Sequence, residues 1–188
     1  MKEKPTGPAQ VESLKPLVLC LGNEIVSDDG FGPEVARRVH EDATLKELVD
    51  VVSVALAGFY LLDLLQGRSR VLIVDALAGS SFGAPGTLHF FPADTMVPSH
   101  NLVGSHQLSL PVALELGREL GYRMPKTIDV LGCVAENLLD LKEVLTPEVE
   151  KAVGPAADVV YSWSQGKVIK QCSAKNLLVK PPFCLSPG

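Results

Sequence analysis

The feature that most limits the possible folds is the run VLIVDAL, residues 71–77, which is almost wholly aliphatic. A strand with one exposed face alternates apolar and polar residues, whereas an unbroken run of this kind is typical of a strand buried on both faces. It predicts a central strand over Arg70–Val74, ended by the carboxylate of Asp75. A second apolar run, at Leu17–Leu21, predicts another buried strand, which ends at Gly22-Asn23.

Strand and helix patterns alternate along most of the chain. This alternation is typical of an α/β domain in which helices cover both sides of a largely parallel sheet. We therefore expect a three-layer αβα sandwich. The strand patterns are Pro16–Leu21, Val51–Val54, Arg70–Val74, Thr87–Phe91 and Thr127–Gly132, and the helix patterns are Asp29–His40, Phe59–Leu65, His106–Gly121 and Pro147–Tyr161.

One connection departs from the parallel pattern. Only Ala76–Gly86 joins the third and fourth strands, and this segment is rich in Gly, Ser and Pro. A parallel crossover usually needs a dozen or more residues and a helix. The fourth strand is therefore predicted to be antiparallel and to lie at an edge of the sheet.

Composition is typical of one globular domain, because 46% of the 188 residues are apolar. We expect a flexible N-terminal extension over residues 1–15, a single α/β domain over 16–161 and a C-terminal extension over 162–188. The helical pattern is lost after Tyr161, and the last segment carries lysines and Pro181-Pro182. The oligomeric state does not follow from the sequence.

Charge and hydropathy exclude several classes of partner. The net charge of −5 comes from mixed acids and bases without a basic stripe, so no nucleic-acid partner is expected. No apolar run approaches the ~20 residues of a membrane span, so no membrane insertion is expected. The polar start MKEKPTGPAQ does not resemble a signal peptide, and a cytoplasmic location is the default expectation.

Four cysteines are present, and none forms a C-x-x-C pair. A zinc knuckle or redox motif is therefore not indicated. Cys20 and Cys133 lie inside apolar strand patterns and are predicted to fill the core as small apolar side chains.

Candidate functional side chains follow the predicted strands. Asp28 and Asp29 come just after the first strand, and Asp75 ends the third. Pro92–Ser105 is long enough to return to the same edge of the sheet, where His106 would open a helix. Ligands of open α/β sheets bind beyond the carboxyl ends of the parallel strands. Two carboxylates and one imidazole there could hold a divalent cation such as zinc or nickel, with open coordination positions as in catalytic sites.

Ordinary structural interpretations remain open for each of these residues. Acidic side chains stabilise the start of a helix, which would explain Asp28 and Asp29. Asp75 could cap a loop, and His106 could be an unremarkable residue of a first helical turn. Glu24 is either a solvated carboxylate or a group that orients a substrate. Among the other histidines, His89 is expected at the surface of an edge strand.

Four segments together resemble one protein family. They are LCLGNEIVSDDGFGPEVARRV, VLIVDALAGSSFGAPGTLHFF, SHQLSL and LGCVAENLLDLKEVLTPEVEKAV, in this order between residues 19 and 153. The sequence resembles the hydrogenase maturation endopeptidases, which trim the C-terminus of the large subunit of nickel–iron hydrogenases. The resemblance implies a twisted sheet of five strands or so between helices, and an endopeptidase activity.

The resemblance also implies a site and a partner. The family's metal-binding residues correspond to Asp29, Asp75 and His106, which would be the metal-binding and catalytic residues here. The partner would be a nickel–iron hydrogenase large-subunit precursor. Its own nickel would be the metal recognised, so no permanent cofactor is expected.

The chain departs from the family at one loop. Many members have a Gly-Gly-Thr-like loop before the second helix, whereas Val54–Gly58 reads VALAG and keeps only the last glycine. This departure leaves a second hypothesis open, a non-catalytic, metal-dependent binding or checkpoint module for hydrogenase maturation. A nucleotide-binding α/β domain is a third interpretation, and the lack of a G-x-G-x-x-G fingerprint weighs against it.

Overall fold

The computed structural model describes residues 14–55, 60–93 and 110–169. The strands are β1 (Leu17–Leu21), β2 (Asp50–Val54), β3 (Arg70–Leu77), β4 (Leu88–Pro92) and β5 (Thr127–Val134). The helices are α1 (Phe31–Glu41), α2 (Ala43–Leu48), α3 (Tyr60–Leu65), α4 (Leu110–Glu119) and α5 (Pro147–Ser164). Single 3₁₀ turns span Ser27–Gly30 and Ser80–Phe82.

The five strands form one sheet in the order β2-β1-β3-β5-β4. β1 is parallel to both β2 and β3, and β3 is parallel to β5. β4 lies at the edge and pairs with β5 in the antiparallel direction. The predicted fold class is confirmed, including the single antiparallel strand at an edge.

Each face of the sheet carries its own apolar core. Alternate residues of the central strands point to opposite faces, so Val18 and Leu72 pack against α1, α2 and α5. Leu19 and Ile73 point the other way and pack with α3 and α4. Full burial of such an aliphatic side chain stabilises the fold by about 1.5–3 kcal/mol. These two cores produce the three-layer arrangement.

The predictions for the two core cysteines are confirmed. Cys20 and Cys133 are both buried within the α1/α5 core. Burial is also the main reason that the pKa of each thiol is raised. Both side chains therefore act as small apolar core residues at neutral pH.

β3 continues three residues beyond its predicted end. Its pairing with β1 stops at Cys20↔Val74, but its pairing with β5 runs on to Leu77↔Val134. Asp75 therefore lies inside a strand, at the first position where β3 no longer has β1 beside it.

The boundaries of the helices differ from the sequence patterns at several points. Asp28 and Asp29 lie in the 3₁₀ turn that precedes α1, and not in the helix itself. α2 was not predicted, although Asp42 is a good N-cap whose side chain accepts hydrogen bonds from the N–H groups of Thr44 and Leu45. The predicted start of the third helix, at His106, lies outside the described residues.

α5 begins at the predicted Pro147 and extends to Ser164. Proline suits the first helical position, where its missing N–H costs no hydrogen bond. Thr146 precedes it, but its side chain makes no capping bond to the helix. No helix in the described part of the chain is long and apolar enough to cross a membrane.

Candidate active site

The candidate site lies where the sheet changes direction. β2, the next strand along the chain after β1, lies on one side of β1 in the sheet, and β3 lies on the other side. The loops after two such strands diverge and leave a crevice, which is the usual ligand site of an open α/β sheet. Asp29 follows β1 and Asp75 lies on β3, so both border this crevice.

Two glycines allow the turn after β1 to fold back on the strand. Gly22 has a φ of +139°, and a Cβ there would lie 1.9 Å from the carbonyl oxygen of Asp29. A Cβ on Gly32 would lie 2.1 Å from the carbonyl oxygen of Leu21. Any larger side chain would displace the backbone, so these glycines determine where Asp29 stands.

Asp29 is held by the backbone of the same turn. Its Oδ2 accepts a hydrogen bond of 2.8 Å from the N–H of Asn23, and its side chain is almost fully buried. The 3₁₀ turn that carries it packs against β3. The Asp29 carboxylate is therefore oriented before any ligand binds.

Asp75 is buried on the face of the sheet that packs against α3 and α4, since it alternates with Ile73 and Leu77. Its Oδ1 accepts a 2.8 Å hydrogen bond from the N–H of Ala76. Burial raises the pKa of Asp75 well above its ordinary value, and the negative charge of Asp29 raises it further. The Ala76 hydrogen bond opposes both effects.

Asp29 and Asp75 border the same crevice, and the charge of Asp29 acts on the Asp75 carboxyl. Two carboxylates that repel each other in a buried crevice favour either a shared proton or a bound cation. Both states can serve catalysis, since a carboxyl group with a raised pKa acts as an acid or base near neutral pH. The arrangement therefore fits both acid–base chemistry and capture of a divalent cation.

Asp28 points away from this pair and has a different role. Its Oδ2 accepts hydrogen bonds from the N–H groups of Glu136 and Asn137, at 2.8 and 2.9 Å. Thr146 donates twice to the same carboxylate, from its N–H to Oδ1 at 2.7 Å and from its hydroxyl to Oδ2 at 3.1 Å. Asp28 thus fastens the turn after β1 to the loop between β5 and α5, and the sequence did not predict this.

His106, the third predicted ligand, lies outside the described residues. Within residues 14–55, 60–93 and 110–169, no group of three or more His, Cys, Asp or Glu side chains could hold a metal ion. The described part of the predicted site is therefore the carboxylate pair alone.

Comparison with known proteins identifies the family. The model for the hydrogenase maturation protease family, HycI, matches residues 33–163. The hydrogenase 2 maturation protease of Escherichia coli (strain K12) is 31% identical over 148 residues, which cover 78% of this chain and 88% of that protein. The chain belongs to the hydrogenase maturation protease family.

Solved structures of maturation proteases share the fold. The hydrogenase maturating endopeptidase HybD from E. coli gives a TM-score of 0.68 at 28% identity, covering 81% of this chain and 93% of that one. The [NiFe] hydrogenase maturation protease HybD from Thermococcus kodakarensis gives 0.60 at 25% identity, covering 80% and 99%. The resemblance inferred from the four sequence segments is confirmed.

The chain carries a buried histidine near the candidate site, and the sequence did not predict its burial. His89 is only 1% exposed, so its predicted surface position is wrong. The reason is that β4, although an edge strand, is buried on both faces along Leu88–Phe91. The signal was the apolar run LHFF, which does not alternate as a half-exposed strand would.

His89 shares a sheet row and a face with Asp75. Both are paired with Gly132, His89 from β4 and Asp75 from β3, so their side chains point to the same side of the sheet. The Nε2 atom of His89 lies 2.6 Å from the carbonyl oxygen of Phe82, while its Nδ1 atom has no hydrogen-bond partner among the described residues. Burial lowers the pKa of His89, and the contact with Phe82 opposes that shift.

The structure bears on two other features predicted from the sequence. Glu24 is exposed, as a solvated carboxylate would be. The divergent loop is described as far as Ala55, which is exposed, and its residues 56–58 lie outside the described ranges.

Proposed function

We propose that this protein is an endopeptidase that removes the C-terminal extension of a nickel-loaded [NiFe] hydrogenase large-subunit precursor. Membership of the maturation protease family supports the reaction class. The single observation that carries the proposal further is that two buried carboxylates, Asp29 after β1 and Asp75 on β3, border the same crevice.

The nickel is part of the substrate in this proposal. Asp29, Asp75 and His106 supply two carboxylate oxygens and one imidazole nitrogen, a donor set that suits a borderline divalent cation. A cation between the carboxylates would relieve the repulsion that raises the pKa of Asp75. A precursor without nickel would not relieve this repulsion, so the two carboxylates would distinguish nickel-loaded from nickel-free substrate.

The carboxylates would also manage protons during hydrolysis. Burial raises the pKa of Asp75 and so favours its protonated form, and capture of the substrate's nickel would favour loss of that proton. Nickel would supply Lewis acidity towards an oxygen of the adjacent peptide group. Asp29, whose carboxylate is oriented by the N–H of Asn23, would hold the metal at a fixed position relative to the scissile peptide.

The test compares nickel-loaded and nickel-free precursor, incubated with the purified protein and analysed by mass spectrometry. We expect a shortened precursor and a released C-terminal peptide with the loaded form only. Asp29→Asn, Asp75→Asn and His106→Ala should each abolish cleavage, whereas Asp158→Asn, on the exposed side of α5, should not. Normal cleavage by all three site variants would refute the assignment.

The same experiment separates the proposal from a non-catalytic checkpoint role, which the divergent Val54–Gly58 loop motivates. A checkpoint module would bind the loaded precursor in a pull-down without any change in its mass. Binding without cleavage by the wild-type protein would therefore favour the second hypothesis.

A further inference from the structure

Four aliphatic side chains are exposed together at the end of the sheet that carries the carboxylate pair. Ile25, Leu139, Leu141 and Val144 are 51 to 88% exposed. A single exposed aliphatic residue needs no explanation, but a cluster beside a functional site is typical of an interaction surface. We call these four residues the apolar rim.

The two loops that form the apolar rim are fastened to each other. The N–H of Ser27 donates to the carbonyl of Lys142 at 2.8 Å, and its hydroxyl donates to the carbonyl of Val144 at 3.4 Å. The N–H of Asp28 donates to the carbonyl of Asn137 at 3.0 Å. Ile25, two residues before Ser27, therefore stands beside the 139–144 segment.

The conformation that exposes these side chains is also fixed internally. The Oδ1 atom of Asn137 accepts hydrogen bonds from the N–H groups of Leu139 and Asp140. The four hydrogen bonds to the Asp28 carboxylate hold both ends of the same loop. A preformed surface loses little conformational entropy when a partner binds.

The rim is acidic as well as apolar. Glu24, Glu136, Asp140 and Glu143 are exposed on the same two loops, where Lys142 is the basic residue. Lys142 pairs with Asp140 at 2.9 Å. The other three carboxylates have no ion-pair partner in the part of the chain that the structure describes.

We infer that the apolar rim and its carboxylates dock the folded body of the precursor, through a surface of exposed aliphatic and basic side chains on that partner. The inference rests on the proposed function. The rim shares the loop 22–30 with Asp29, so a protein held there has its cleaved segment close to the carboxylate pair. Opposite charge speeds the encounter, and buried aliphatic contacts slow dissociation.

The test measures both binding and cleavage of purified, nickel-loaded precursor. The L139S/L141S double variant should raise Kd and KM about tenfold or more while the rate at saturating precursor is kept. The matched control is L120S/V168S, which removes two exposed aliphatic residues at the other end of the sheet, near the start of β5 and the end of α5. This control should bind as the wild type does.

Charge is tested separately with E136Q/E143Q. Binding by this variant should be weaker at low salt and should depend less on ionic strength than wild-type binding. Equal salt dependence in variant and wild type would contradict the proposed basic partner surface.

Other outcomes would overturn the inference in distinguishable ways. An unchanged Kd for L139S/L141S would overturn the docking inference even if cleavage proceeds. Binding of the precursor by the wild type without cleavage would refute the proposed activity, and the Kd of L139S/L141S would still decide whether the rim is the docking surface. A dimer that L139S/L141S dissociates would assign the rim to a second copy of this chain.

Residues 170–188 carry Lys170, Lys175 and Lys180 without an acidic residue. Stronger precursor binding by full-length K175E/K180E would therefore assign the rim to the chain's own C-terminal segment.

Discussion

The carboxylate of Asp28 receives two hydrogen bonds from Thr146, one from its N–H at 2.7 Å and one from its hydroxyl at 3.1 Å. The adjacent residue, Asp29, instead faces the crevice and raises the pKa of Asp75 by its charge. Two neighbouring carboxylates in one 3₁₀ turn therefore have separate tasks. Asp28 fastens two loops together, and Asp29 belongs to the candidate active site.

Asp28→Ala should lower the free energy of unfolding by about 3 kcal/mol or more. Three backbone N–H groups, of Glu136, Asn137 and Thr146, would lose a charged acceptor, and a hydrogen bond to a charged group contributes about 1.5–3 kcal/mol. Asp29→Asn should change stability far less and yet abolish cleavage. Urea denaturation measures the stability of both variants, and a cleavage assay measures their activity. Equal losses of stability would show that the two residues share one role.

The pKa of Asp75 predicts a stability that declines as pH rises. The carboxyl group of Asp75 has a pKa near 3.8 in the unfolded state, and its pKa in the folded state is well above this value. Between these two values the folded state binds more protons, so the free energy of unfolding falls with increasing pH. Asp75→Asn should remove this decline and be more stable than the wild type at neutral pH. Denaturant unfolding from pH 4 to 8 measures it, with Asp158→Asn as the control that keeps the wild-type profile.

The buried His89 predicts a pH effect of the opposite sign. Its pKa is lowered from 6.5, so the folded state binds fewer protons than the unfolded state between the lowered value and 6.5. Stability contributed by neutral His89 is therefore lost as pH falls below 6.5. A protonated ring would also place a second N–H, at Nδ1, in a buried position where the described part of the chain offers no acceptor.

His89→Gln should flatten the acid side of the profile, whatever its effect on absolute stability. His40→Gln is the matched control, because His40 is exposed near the end of α1. A profile for His89→Gln that declines below pH 6.5 as steeply as the wild type would mean that another group causes the loss.

Gly22→Ala should be much more damaging than Gly121→Ala. Both glycines have positive φ, but a Cβ on Gly22 would meet the carbonyl oxygen of Asp29 at 1.9 Å, whereas nothing lies within 4 Å of one on Gly121. Gly121→Ala should cost only the backbone strain, about 1–2 kcal/mol. Gly22→Ala should cost more than that and abolish cleavage by moving Asp29. Thermal unfolding with a cleavage assay compares them, and equal effects would argue against the close contact.

Several parts of the fold were predictable because they depend on local sequence. Aliphatic runs predicted the buried strands, and the short Ala76–Gly86 connection predicted an antiparallel edge strand, β4. The exact end of β3 was not predictable, because it depends on pairing with β5 up to Leu77↔Val134. The burial of His89 depends on the layers that cover an edge strand, and the local run LHFF is a hint of it without showing what covers the strand.

For the site, the sequence by itself determined the family and the residues available at the carboxyl ends of the strands. Only the tertiary structure decided how the two adjacent aspartates divide their roles. The partners of Asp28 lie 108 to 118 residues away along the chain, and the coupling of Asp29 to Asp75 exists only because β1 and β3 are neighbours. The physical reason is that hydrogen bonding, burial and repulsion between charges depend on distance in space, and the order of residues does not contain those distances.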